Sequence, residues 1–194
     1  MFTNQIRSLL QLLEQVHLGD LVFIRVPTPF FMQVADATGT WTNHVGVVID
    51  EAGTVAESRF PLSGATTLKR FVGRSSRGRV AVMRLRRPLG PTERGRIAAS
   101  ARRRMGIVYD TGFNLHSRRQ FCSRYAREVM AEATGEELGT IECLADLLRT
   151  RPEAPLWFWR LWYFGRIPWD RRTVTPASLL HSPALKTVFD GHAR

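Results

Sequence analysis

The run His44-Val45-Gly46-Val47-Val48-Ile49 constrains the fold more than any other stretch. It is apolar on both faces apart from its first residue, the pattern of a strand buried in the middle of a sheet. Thr54-Val55-Ala56-Glu57-Ser58 follows the turn-forming Asp50-Glu51-Ala52-Gly53 and reads as its hairpin partner. With a two- or four-residue loop, Ile49 faces Thr54, Val48 faces Val55 and Gly46 faces Glu57. Opposed residues share one side of a sheet, and so do residues two apart. Glu57 then lies on the side of His44, diagonal to it and about 7–8 Å away between Cβ atoms. Gly46, lacking a side chain, leaves room for the carboxylate to reach the imidazole. A three-residue loop would send Glu57 to the opposite face. Taken alone, His44 is either a packed strand histidine or a base whose rotamer the strand fixes. Glu57 is either a solvated strand residue or the group that orients His44.

The remaining elements fit around this hairpin. Residues 5–16 place Ile6, Leu9, Leu10 and Leu13 at helical spacing, a lead-in helix within residues 1–18. Gly19-Asp20 turns the chain into a strand over Leu21–Val26, with Asp20 as a turn residue capping it. Residues 30–43 carry no clear pattern. Thr66 or Thr67 caps a short helix through Phe71, Arg79–Leu85 alternates as a strand, and Glu93–Met105 is a helix ended by Gly106. Tyr109–Phe113 is a loop or short strand, Ile141–Leu148 a helix, and Thr175-Pro176 a helix start. Residues 150–194 read as an aromatic-rich C-terminal extension. No repeat or low-complexity linker marks a boundary, so residues 1–194 are expected to form one domain.

Arg119-Gln120-Phe121-Cys122-Ser123 leads into an amphipathic helix. Cys122, Ala126, Val129 and Ala133 share one face, so the cysteine is either a small core residue or a nucleophile. A nucleophile needs a lowered pKa, which a helix N-terminus and nearby cations supply. Ser117-Arg118-Arg119-Gln120 resembles a capping box, which would start the helix early and weaken the dipole at Cys122.

Two cysteines, Cys122 and Cys143, are too few for a disulfide framework or a structural zinc cluster. No metal and no cofactor is expected. The N-terminus lacks the pattern of a secretory signal, and the expectation is a cytoplasmic protein. The net charge of +11 is almost all arginine, Lys69 and Lys186 being the only lysines. No nucleic-acid motif accompanies it, so no nucleic-acid partner is expected. Leu156–Gly165 is rich in Trp and too short to span a bilayer. It is either an aromatic helix packed on the sheet or lining a groove, or a peripheral membrane contact. The sequence does not set the oligomeric state.

Gly19-Asp20-Leu21-Val22-Phe23, Asn43–Val48, Val55-Ala56-Glu57-Ser58-Arg59, Thr111-Gly112-Phe113, Arg119–Ser123, Ile167-Pro168-Trp169 and Thr173–Leu179, in this order, resemble the YiiX/YebB-like cysteine hydrolases of the permuted papain-fold, NlpC-like superfamily. The resemblance covers residues 19 to 180 and looks closest to the YebB-type branch. It implies an α+β, circularly permuted papain-like fold, in which an antiparallel sheet packs against helices including the one that carries the catalytic cysteine. It implies Cys122 as nucleophile, His44 as base and Glu57 as the group orienting His44. Asn43, Gln120 and Tyr109 are candidate oxyanion or substrate contacts. Arg124 stands where many relatives carry an acidic residue, a change outside the triad that bears on substrate contacts. The expected function is cleavage of an amide bond through a thioester, on a small-molecule, peptide or lipid-amide substrate. The alternatives are a membrane-surface thiol lipase or acyltransferase, and an inactive binding domain.

Overall fold

The computed structural model describes residues 5–7, 9–149 and 155–193. The fold is α+β. Its main sheet has seven strands in the order β1-β9-β6-β2-β3-β4-β5. These are β1 (Gln5–Arg7), β2 (Leu21–Ile24), β3 (His44–Val48), β4 (Thr54–Glu57), β5 (Gly64–Thr67), β6 (Arg79–Leu85) and β9 (Leu185–Ala193). All neighbours are antiparallel except β1 and β9. A second, two-stranded sheet pairs β7 (Ile141–Cys143) with β8 (Arg172–Val174).

Strand alternation divides the core into two layers. Leu21 and Phe23 of β2, Val45 and Val47 of β3, and Ala81 and Met83 of β6 meet α4 (Pro91–Arg103) and α5 (Cys122–Thr134) through Ile97, Ala101, Ala126 and Val129. Val22, Ile24, Val48, Val55, Val80 and Val82 face the other way. They pack on Leu12 of α1 (Leu9–Gln15) and on Leu68 and Phe71 of α3 (Leu68–Gly73). A third cluster joins α2 (Pro29–Thr38), α6 (Leu144–Arg149) and α7 (Leu156–Trp162) through Val34, Ala37, Leu144, Leu148 and Trp159. The last helix, α8 (Pro176–Leu180), starts as its sequence suggests: Thr175 Oγ1 accepts from Ser178 N. Thr67 likewise caps α3, accepting from Arg70 N.

Four segments depart from the sequence reading. The helix expected over 5–16 is a strand at 5–7 that pairs with β9, followed by α1 from Leu9. The helix expected over Ile141–Leu148 begins only at Leu144, because Ile141–Cys143 is drawn into pairing with β8. Residues 29–38, without a clear pattern in sequence, are helical; Pro29 stands in the first turn and Gly39 closes the helix at φ 61°. Leu185–Ala193, inside the supposed C-terminal extension, is a full strand of the main sheet beside β6.

Candidate active site

The hairpin loop is even, as the parity argument requires. Val47 pairs with Ala56 and Val48 with Val55, and Ile49 N donates to Thr54 O at 2.9 Å. Asp50 Oδ1 accepts from Thr54 N, and Gly53 takes the left-handed turn position at φ 74°. Glu57 therefore projects beside His44, and His44 Nε2 lies 2.6 Å from Glu57 Oε2 with both side chains buried. The reason for Gly46 is different from the expected one. A Cβ there would lie 2.4 Å from Val55 Cγ1 and 2.9 Å from Phe71 Cε2, not against Glu57. The bare glycine admits Phe71, whose ring backs the His44 imidazole at 5.7 Å.

Cys122 is the first residue of α5, with Phe121 as N-cap. The Ser117–Gln120 capping box does not form. Gln120 is held extended by tertiary pairing, its N–H donating to Val108 O and its carbonyl accepting from Asp110 N, while Ser117 Oγ accepts from Arg119 N. Cys122 thus sits at the positive end of the helix. Ser123 Oγ donates to Val174 O at 2.7 Å and ties the start of α5 to β8. Around the sulfur stand His44, the Val45 N–H and the Tyr109 hydroxyl, the last at 4.0 Å. Since Nε2 of His44 is taken by Glu57, the interaction of the ring with the thiol falls to Nδ1, which has no other partner.

The electrostatics follow from this placement. Burial pulls the His44 pKa down, but the Cys122 thiolate and Glu57 outweigh it and raise it to about 9. Burial pushes the Cys122 thiol up, but the His44 charge and hydrogen bond, with the Val45 N–H and Tyr109, bring it below its usual value. Burial likewise opposes ionisation of Glu57, and His44 and Arg74 reverse that. The three shifts favour thiolate, imidazolium and carboxylate together. Tyr109 is held well above its usual value by burial, then by the Cys122 charge, so its hydroxyl remains a donor.

Two arginines the sequence reading did not single out complete the group. Arg74 Nη2 donates to both Glu57 oxygens at 2.8 Å, and Arg59 Nε lies 3.8 Å from Glu57 Oε1. Arg59 stands in the Glu57-Ser58-Arg59 motif and was open to discovery there; Arg74 has no local signal. The arginines flanking Cys122 point elsewhere. Arg124 donates to Glu128 and to the Ser117 and Arg119 carbonyls, so it clamps the preceding loop. Arg127 reaches Glu137 and Gly139 O.

Of the other candidates, Tyr109 faces the sulfur. Asn43 does not offer a free donor: its amide hydrogens go to Val26 O and Phe31 O, and its oxygen accepts from Val26 N. Gln120 turns to Glu128, with Nε2 at 3.0 Å from Oε2. The aromatic segment splits between the two readings given for it. Trp159 is buried, and Trp162 stacks on Phe30 at 4.1 Å and donates to Thr111 O, fixing the loop beside Tyr109. Trp157, Leu161 and Phe164 face outward at 68%, 72% and 96% exposure. Among the described residues, no helix is long and apolar enough to cross a membrane, and no group of three or more His, Cys, Asp or Glu can hold a metal ion.

Comparison with known proteins places the chain among relatives. A family profile described as "permuted papain-like amidase enzyme, YaeF/YiiX, C92 family" matches residues 15–189. The uncharacterized protein YiiX of Escherichia coli strain K12 is 26% identical over 176 residues, spanning 90% of this chain and 86% of that protein. A crystal structure titled as metalloprotein YiiX from Escherichia coli O157:H7 superposes with a TM-score of 0.85 at 24% identity, covering 92% of this chain and 99% of the other.

Proposed function

The chain belongs to the permuted papain-like amidase family and is a cysteine-dependent hydrolase; we propose that it cleaves an amide bond with Cys122 as nucleophile, His44 as acid and base, and Glu57 as the group that orients and charges His44. The observation that carries this reading is His44 bonded to Glu57 at 2.6 Å with its other nitrogen left to the Cys122 thiol. The mechanism follows from the resting ion pair. The thiolate attacks the amide carbonyl, forming the C–S bond. The oxyanion is met by the Cys122 N–H at the helix N-terminus, which in the resting site points to the Tyr109 oxygen, and by the Tyr109 hydroxyl. The imidazolium protonates the leaving nitrogen, the C–N bond breaks, and a thioester remains. His44, now neutral, takes a proton from water, which adds to the thioester; the acid leaves and the thiolate returns.

One structural relative is titled a metalloprotein; among the described residues here no group of three or more His, Cys, Asp or Glu could hold a metal ion, and no step runs through one. A second reading, hydrolysis or acyl transfer at a membrane surface, is favoured by the outward side chains of Trp157, Leu161 and Phe164 beside the exposed Arg160 and Arg166.

The test is alkylation of Cys122 by iodoacetamide in a Cys143→Ser background. Labelling at about pH 6.5 should be at least about tenfold faster than that of a free thiol, because the thiolate is already formed. His44→Ala should remove the advantage. Labelling at the rate of a free thiol, unchanged by His44→Ala, would remove the proposal.

A further inference from the structure

Two recesses flank the Cys122–His44 pair. On the thiol side lies a narrow, apolar one of about 30 Å³, with Cys122, Ser123 and Phe113 in its wall. On the imidazole side lies one of about 400 Å³, walled by His44, Tyr109, Phe30, Phe60, Arg59 and Arg74. If Cys122 attacks and His44 protonates the leaving nitrogen, the amine portion of the substrate occupies the imidazole side. The inference below rests on that reading of the pair.

Charge on the imidazole side is not balanced. Glu57 is fully buried and faces His44, Arg74 and Arg59. With Cys122 as thiolate and His44 protonated, three positive groups meet two negative ones. Asp110 keeps its own charge, but its carboxylate is turned to Gly112 N and Asn114 N in its own loop and is paired with neither Arg59 nor Arg74. Arg74 spends Nη2 on Glu57 and lies over the Phe71 ring at 4.9 Å. Arg59 is 46% exposed, and its Nε is 3.8 Å from Glu57, beyond hydrogen-bond reach. It is a guanidinium in the wall of the recess whose fork Glu57 does not fill.

We propose that Arg59 binds a carboxylate on the leaving amine, so that the substrate is an amide whose nitrogen belongs to an amino acid with a free carboxylate. The planar fork of arginine matches a carboxylate with two parallel bonds. The single net positive charge of the five groups around Glu57 and Cys122 suits a monoanion. Phe30, Phe60 and Trp162 in the same wall suit an apolar side chain on that amino acid. Cleavage leaves the acyl group on Cys122 and releases the amino acid into the recess that holds its carboxylate.

The test compares N-iodoacetyl-L-phenylalanine with N-iodoacetyl-L-phenylalaninamide in the Cys143→Ser protein. In both, the thiolate displaces iodide and places the amino acid on the leaving-group side. The carboxylate reagent should label Cys122 about tenfold faster than the carboxamide, relative to the same ratio for free cysteine, as one charge-assisted pair predicts. Arg59→Gln should return the ratio to that of free cysteine, and Arg59→Lys, a charge without the fork, should fall between. Using the ratio cancels any change in the thiolate itself. Equal rates for the two reagents in the parent protein, or a ratio unmoved by Arg59→Gln, would overturn the site; should that variant not fold, a ratio unmoved by Arg59→Lys does the same. Plain iodoacetamide reads the nucleophile separately. Fast labelling with a flat ratio removes the carboxylate site alone, whereas labelling at the free-thiol rate removes the reading of Cys122.

Discussion

Glu57 Oε2 stands 2.6 Å from His44 Nε2 in a place closed to solvent, and Arg74 donates to the same carboxylate from the other side. The carboxylate is held ionised by two cations, and in turn, after the larger effect of the Cys122 thiolate, favours the protonated form of His44. Glu57→Gln keeps the shape and removes the charge. The His44 pKa should then fall from about 9, read as the midpoint of its ring-proton shifts by NMR. Amidase activity should drop on the order of 10²-fold or more. An unmoved midpoint would show that Glu57 does not charge the ring.

On the proposed mechanism Cys122 and His44 set the pH range of the reaction, because it needs the thiolate and the imidazolium together. Activity should rise as Cys122 ionises, below the usual thiol range, and fall through about pH 9 as His44 loses its proton. The stability link has a definite sign. The folded pKa of His44 lies above its unfolded value of 6.5, so its contribution is complete below about 6.5 and is lost as pH rises through about 9. Cys122 carries the opposite sign: its folded pKa lies below the unfolded thiol value of 9, so between about pH 6.5 and 9 its gain offsets the loss from His44. The assignment is therefore read from the His44 ring-proton shifts, and a midpoint at the free value of 6.5 in the parent protein would contradict it.

How far the sequence revealed this site depended on how local each signal was. His44 and Glu57 were legible because a period-2 pattern and an even loop determine facing without reference to the rest of the chain. The caps at Thr67 and Thr175 were legible for the same reason. The start of α5 was not. Ser117 and Gln120 carry a good capping signal, but Gln120 is captured by Val108 and Asp110, and pairing outside the local window overrides it. The strand Leu185–Ala193 was hidden because its partner β6 is a hundred residues away and its own run contains Asp190 and Gly191. Arg74 reaches Glu57 only because α3 packs on the face that His44 shares.

Gly46→Ala tests the packing behind the imidazole. The new methyl would lie 2.4 Å from Val55 Cγ1 and 2.9 Å from the Phe71 ring, both in a filled core. Overpacking of this kind costs about 1–3 kcal/mol, measurable by denaturant unfolding. Relief by moving Phe71 also removes the surface that backs His44, so iodoacetamide labelling at about pH 6.5 should slow. The double variant Gly46→Ala, Phe71→Leu should recover part of the stability, since it opens the space the methyl needs. A single variant as stable as the parent would mean that the strand shifts without strain.

Asp20 looked like a turn residue, and it does accept from His17 N at 2.8 Å. Its larger role is across the sheet. Arg84 of β6 donates to both of its oxygens, at 2.7 and 2.8 Å, and Asp20 is fully buried. Asp20→Ala leaves Arg84 with the Gln15 carbonyl in place of its buried carboxylate and should cost about 3 kcal/mol, the low end for breaking a buried pair, because Arg84 keeps that bond and partial access to water. Asp20→Asn retains the bond to His17 N and should cost less. A thermal melt ranks the two. The pH profile of Cys122 labelling should be unchanged in both, since neither touches the thiol, His44 or Glu57; a shifted profile would mean that Asp20 acts on the site.

The outward face of α7 supplies the test of the membrane-surface reading. Trp157 and Leu161 are exposed on a helix whose opposite side, through Trp159, is locked in the core, and Phe164 is exposed two residues past its end. Phe164 is held at φ 52°, a conformation uncommon for a side chain of its size, and it is the most exposed of the three. Inserted in a bilayer interface, each such side chain contributes about 1.5–3 kcal/mol, and Arg160 and Arg166 would favour anionic headgroups. Under that reading the protein co-sediments with vesicles of mixed phosphatidylcholine and phosphatidylserine at low salt. Replacing Trp157, Leu161 and Phe164 together by Ser abolishes this while leaving iodoacetamide labelling of Cys122 intact, because none of the three lines either recess. No binding by the parent protein removes the membrane reading. Binding that survives the triple substitution moves the contact off α7 and onto the basic surface.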